Sequence, residues 1–156
     1  VDRMMLSRRG VSGLAALVAG LVASRASADP AAGPKTHRVA MQVSSNEGGV
    51  FDLALNNAVN LAREYSDQAE ELEVEIVAYG PGLHMLRADT SPVRLRIHSI
   101  TESVPGIVLS ACGNTVKAME KAEGHTVELL PHVGVVTAGA VRLVALQEAG
   151  WSYLRV

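Results

Sequence analysis

From Val39 onward, apolar residues recur in two alternating rhythms. Val39, Met41 and Val43 fall at every second position, the spacing of a strand, and the run stops at Ser44-Ser45-Asn46-Glu47-Gly48-Gly49. A helix is predicted from about Phe51, with Phe51, Leu55, Ala58, Leu61, Ala62 and Tyr65 on one face, and Asp52 suits the positive end of its dipole. Leu72 to Tyr79 (LEVEIVAY) is the next strand, stopped by Gly80-Pro81-Gly82, and Leu83 to Arg87 predicts a single helical turn. Val93 to Glu102 fits both periods. A helix is chosen, because a crossover must join two buried parallel strands.

Gly106 to Ala111 is the third strand. Asn114 to Ala122 is a helix with Val116, Met119 and Ala122 inward and Lys117, Glu120 and Lys121 outward. Val133 to Thr137 is the fourth strand, Val141 to Ala149 a helix closed by Gly150, and Trp151 to Val156 a fifth strand. Short apolar strands alternating with helices predict an α/β fold: a three-layer α/β/α sandwich around a mainly parallel sheet of about five strands.

The segment before this pattern reads differently. Arg3, Arg8 and Arg9 precede a mildly apolar run from Gly10 to Val22, and Ala26-Ser27-Ala28 supplies a small-x-small cleavage pattern. Residues 1–28 are therefore expected to be a signal peptide. The apolar run is shorter than the roughly 20 residues of a membrane span. Arg8-Arg9 resembles a twin-arginine signal, and the protein is expected to be periplasmic or otherwise exported. Residues 29–36 read as a Pro/Gly/Ala linker and 37–156 as the folded domain.

Charge narrows the partners. The chain has 14 basic and 16 acidic residues; without Arg3, Arg8, Arg9, Arg25 and Asp2 it has 10 minus 15, a net of −5. That argues against nucleic acid and anionic membranes as partners. The aromatic content of 3% offers no stacking platform, so no cofactor is implied. His37, His98, His125 and His132 show no metal-ligand spacing, and none of the residues is assigned to a metal. His84, two residues after Gly80-Pro81-Gly82, has two readings, a wall of the pocket at that strand exit or a surface residue, the second being the commoner place for such a histidine; Arg94 and Arg96 read as solvated.

Ligands of parallel sheets bind beyond the carboxyl ends of the strands. The exits are Ser44-Ser45-Asn46, Tyr79-Gly80-Pro81-Gly82, Ala111-Cys112-Gly113-Asn114 and Thr137-Ala138-Gly139. Candidate pocket residues are thus Ser45, Asn46, Gly80, Gly82, Gly113, Asn114, Thr115 and Gly139. Cys112, the sole cysteine, stands where a strand gives way to a helix, and a helix N-terminus favours thiolate over thiol. It is the candidate catalytic residue. Cysteine is also among the most buried residue types, so a packing role stands beside the reactive one.

Five collinear blocks carry a resemblance: Val39–Ser45, Leu53–Leu61, Val74–Gly82, Ala111–Met119 and Gly139–Trp151. Together they resemble the DsrE/DsrF-like family over about residues 37–155. The resemblance implies a small α/β/α domain that forms homo-oligomers, trimers or hexamers, and works in sulfur relay, where a cysteine carries sulfur as a persulfide. Cys112 occupies the matching strand exit. The expected function is an exported sulfur carrier or sulfurtransferase-like protein with a sulfur donor or acceptor protein as partner. The alternative is a non-enzymatic oligomeric module of the same fold that binds a small ligand or a partner.

Overall fold

The computed structural model describes residues 33–156. The expected signal peptide, and the linker up to residue 32, lie outside the described residues. Five strands alternate with helices: β1 (Thr36–Val43), α1 (Val50–Asp67), β2 (Glu71–Ala78), α2 (Arg94–Ser103), β3 (Ile107–Cys112), α3 (Gly113–Glu123), β4 (Val133–Val136), α4 (Gly139–Glu148) and β5 (Ser152–Arg155). A 3-10 helix, Gly80–Leu86, follows β2 where a single turn was predicted. All pairings within the sheet are parallel, and the strand order is β4-β3-β2-β1-β5. The predicted α/β architecture is the observed one.

The order explains where the helices lie. From β1 to β4 each strand is laid beside the last in one direction, and the step from β4 to β5 returns across the sheet. Parallel crossovers are right-handed almost without exception, so reversing the direction sends the crossover helix to the opposite face. The 3-10 helix, α1, α2 and α3 accordingly pack on one face, over Val39, Met41, Val43, Val74, Ile76 and Leu109. Only α4 crosses the other face, where Leu143 and Leu146 meet Ala40 and Val77.

One boundary needs correction. Thr36, assigned to the linker, is the first residue of β1, which begins three residues before the predicted Val39. Thr36-His37-Arg38 lacks the apolar alternation of a buried strand, but it pairs with Glu71-Leu72-Glu73. Polar partners hold it: Thr36 Oγ1 donates to Glu71 at 2.9 Å, Arg38 Nε donates to Glu73 at 2.9 Å, and His37 Nε2 lies 2.5 Å from Glu70. His37 also stacks on Tyr65. A second correction concerns Arg96, which is not simply solvated. It joins α2 to α1 through Asp52 at 2.7 Å and through the Asn56 side chain.

Candidate functional site

Adjacent strands β3 and β4 deliver their next helices to opposite faces. That makes a topological switch point, the crevice where open parallel sheets bind ligands. Cys112 is the last residue of β3, and α3 starts at Gly113 immediately after it. From β4 the chain passes through Thr137 and Ala138 into α4 at Gly139. Two helix N-termini therefore open on the same crevice, and Cys112 stands between them.

Cys112 is 5% exposed, and the surroundings of its sulfur are rich in donors. Burial pushes the Cys112 thiol up, but the Thr115 hydroxyl and the backbone N–H groups of Gly139, Thr115 and Asn114 outweigh it. Together they hold the thiol below its ordinary value. The hydroxyl of Thr115 is itself oriented: its oxygen accepts the Gly80 N–H at 3.0 Å, which leaves its proton for the sulfur. Gly80, Thr115 and Cys112 thus form a chain from the β2 exit to the thiol. The Asn114 N–H is shared with the Thr137 carbonyl at 3.2 Å, which ties the two exits together.

In front of Thr115 lies an open cleft of about 680 Å³, lined by Asn46, Gly80, His84, Asn114, Thr115 and Glu123, among others. Asn46, Gly80, Asn114 and Thr115 are thus brought together, with Cys112 behind Thr115. His84 is half-buried on the wall of this cleft, with Nδ1 2.9 Å from the Thr90 hydroxyl.

The other candidate residues stand elsewhere. Ser45 shapes the β1 exit, accepting the Glu47 N–H at 3.1 Å. Gly113 opens α3, where a Cβ would lie 3.1 Å from the Val136 carbonyl oxygen. Gly82 is buried and is not among the residues lining this cleft. A Cβ there would fall 2.2 Å from the carbonyl oxygen of Val43, so glycine is what lets the 3-10 helix rest on the β1 exit. Gly139 meets the cysteine directly, since its Cβ position is 3.3 Å from Cys112 Cβ and 3.1 Å from Tyr79 Cβ.

A second cleft, of about 670 Å³, lies at the opposite end of the sheet, where β2 and β3 begin. Val59, Arg63, Leu72 and Val104 line it, and it holds no cysteine. Cys112 is at the other end. No group of metal-ligating side chains occurs among the described residues.

No protein-family model matches this chain, and no curated protein matches it. Solved structures do. A protein of unknown function from Methanobacterium thermoautotrophicum, MTH1491, is 30% identical, with a TM-score of 0.64; the match covers 77% of this chain and 99% of that one. The chain belongs to the same family as this protein. The ychN protein of E. coli is 15% identical over 79% of this chain and 99% of its own, with a TM-score of 0.50. A conserved protein of unknown function from Bacteroides thetaiotaomicron, BT1422, is 18% identical over 76% of this chain and 93% of its own, with a TM-score of 0.49. The likeness to ychN is one of fold alone.

Two buried charged residues near the site, each ion-paired to more exposed partners, escaped the sequence reading. Glu75 of β2 is 3% exposed and accepts from Arg142 of α4 and from Ser110 of β3. Burial pushes its carboxyl up, and Arg142 and Ser110 more than reverse that. Arg87, 2% exposed, donates to Asp89 and Glu123 and so clamps the end of the 3-10 helix to α3. Each residue has a mark in the sequence: Glu75 stands deepest in an apolar strand, and Arg142 is the lone charge in Gly139–Leu146. Their pairing spans 67 positions, which no local spacing encodes.

Proposed function

We propose that the protein is a sulfur carrier or sulfurtransferase-like protein of the DsrE-like type, working through Cys112. The observation that carries this reading is the placement of the thiol at the switch point between two helix N-termini, with donors around its sulfur. Those donors stabilise an anion, which both the free thiolate and the persulfide are. The fold shared with ychN, itself DsrE-like, supports the reading.

The step balances without an oxidant. The Cys112 thiolate attacks the outer sulfur of a donor persulfide. A new S–S bond forms on Cys112, the donor's S–S bond breaks, and the donor leaves as a thiolate that takes up a proton. An acceptor nucleophile then attacks the terminal sulfur, and Cys112 departs as thiolate. Incubation with a persulfide donor followed by intact mass measurement tests this. The expected result is a gain of one sulfur that Cys112→Ser abolishes; no gain, or an equal gain in the variant, overturns it.

The α4 face supports a homo-oligomer, trimer or hexamer. Val108, Val141, Val144 and Tyr153 are large exposed side chains on or beside the one face that a single helix covers. Sedimentation equilibrium tests this: a mass above the monomer is expected, falling in a Val141→Lys/Val144→Lys variant. A monomer at all concentrations overturns it.

A second reading, a binding module without sulfur chemistry, draws on the open cleft in front of a nearly covered thiol. It predicts that Cys112→Ala keeps the protein's cellular role, whereas the carrier reading predicts its loss. Export completes the proposal. Fractionation of cells expressing the chain with Arg8 and Arg9 changed to Lys tests the twin-arginine route, which that change should block.

A further inference from the structure

Two rungs of contact cross the α4 face of the sheet. On the first, Arg142 donates Nε and Nη2 to the two oxygens of Glu75, at 2.8 and 2.6 Å, and Ser110 donates Oγ at 2.7 Å. On the second, Gly139 meets Cys112 and Tyr79. The rungs are joined along every element they share. Ser110 and Cys112 are successive residues on one face of β3, and Glu75, Val77 and Tyr79 share one face along β2 and its exit. Gly139 and Arg142 lie about one helical turn apart on α4.

Apart from the first rung, α4 rests on the sheet through Gly139, Leu143 and Leu146, with Tyr79 and Trp151 packed beside them, and all of these contacts are apolar or small. Apolar contacts are non-directional and tolerate sliding. A bidentate guanidinium–carboxylate fork is directional and fixes register. Burying a carboxylate for stability alone is poor physics, because a well-packed apolar pair does as well. A register-fixing role gives the buried charge a reason.

We propose that the Glu75–Arg142 pair is a positioning device for Cys112: it holds the first turn of α4 so that the Gly139 N–H faces the sulfur. The inference deepens the carrier reading and rests on Cys112 being the working group. Around the cysteine, β4 carries no ionisable residue, α3 carries Lys117, Glu120, Lys121 and Glu123, and the 3-10 helix carries His84. Glu75 and Tyr79 from β2 and its exit and Arg142 from α4 are the groups at the two rungs, and Tyr153 stands on β5 at the far edge of the sheet.

Titrating the thiolate by its ultraviolet absorbance separates positioning from plain charge, and the sole cysteine makes the signal unambiguous. Removing a nearby negative charge by Glu75→Gln lowers a thiol pKa if charge alone acts. Positioning requires the opposite, a rise of about half a unit to one unit, which cuts the thiolate fraction below the pKa about three- to tenfold. Arg142→Lys keeps the positive charge at an exposed site and loses the fork; positioning again requires a rise. A fall in Glu75→Gln, or no change in Arg142→Lys, overturns the proposal. Should Glu75→Gln fail to fold, Arg142→Lys decides alone.

The titration needs no sulfur donor. A protein that shows these rises yet takes up no sulfur keeps the positioning role and loses the carrier reading. One that takes up sulfur with unshifted titrations loses only the positioning role.

Discussion

Gly139 and Cys112 are packed so closely that a methyl group on the glycine would sit 3.3 Å from the cysteine Cβ. The same methyl would be 3.1 Å from Tyr79 Cβ. Neither neighbour is the free end of a flexible side chain, so α4 must give way by a few tenths of an ångström. Gly139→Ala is expected to fold, at a cost of about 1 kcal/mol, the lower end of overpacking penalties. It should draw the Gly139 N–H off the sulfur and raise the Cys112 pKa. Thiolate absorbance against pH checks this; an unshifted titration contradicts it.

Thr115 separates hydrogen bonding from volume. Thr115→Val keeps the shape, removes the proton donated to Cys112, and leaves the Gly80 N–H without its acceptor. A higher thiol pKa is expected, with a stability loss of about 1–2 kcal/mol for the orphaned donor. Thr115→Ser should restore both. Paired thiol titrations and thermal melts of the variants read the two effects separately.

Gly82 supports the site mechanically. Any side chain there collides with the Val43 carbonyl, and backbone cannot step aside as a side-chain tip can. Gly82→Ala is expected to cost about 3 kcal/mol, at the upper end of overpacking penalties. Denaturant unfolding measures it; a midpoint within error of the parent refutes it.

Arg87 makes stability fall with acid. It holds the Asp89 carboxyl down to about 2 and keeps Glu123 below the usual carboxylate range. Both folded values are depressed. Their contribution is therefore complete above the ordinary range near about 4 and is lost as pH falls from there toward about 2. Arg87→Met should melt lower than the parent at neutral pH, because it removes both ion pairs and the tie between the 3-10 helix and α3. The gap should narrow through that acid window. A gap constant with pH would assign Arg87 to packing alone.

The fold was legible because each buried strand is an apolar run bounded by turn residues, and only the helical crossover reading of Val93–Glu102 needed the topology to decide it. Thr36–Arg38 was missed because a polar strand end stabilised by cross-strand partners carries no hydrophobic rhythm. Cys112 was legible as a strand exit. Which exits would meet was not: Gly139 reaches the cysteine because the chain reverses direction after β4, a property of strand order. Glu75 and Arg142 stand out singly, one inside an apolar strand and one in an apolar helix, but pairing across 67 residues leaves no local period to read.

Strand order also sets a schedule for folding. β1, the first strand described, pairs with β2 on one side and with β5 on the other, with Val39–Gln42 against Ser152–Arg155. That pairing closes a loop of more than a hundred residues, the kind of non-local contact that slows folding. During synthesis one edge of β1 stays unpaired until Ser152–Arg155 has been made, and α4 has no completed sheet to cross before then. The crossover that returns the chain from β4 to β1 is also what carries Gly139 to the cysteine, so closure of the sheet by β5 and completion of the thiol's surroundings depend on one connection.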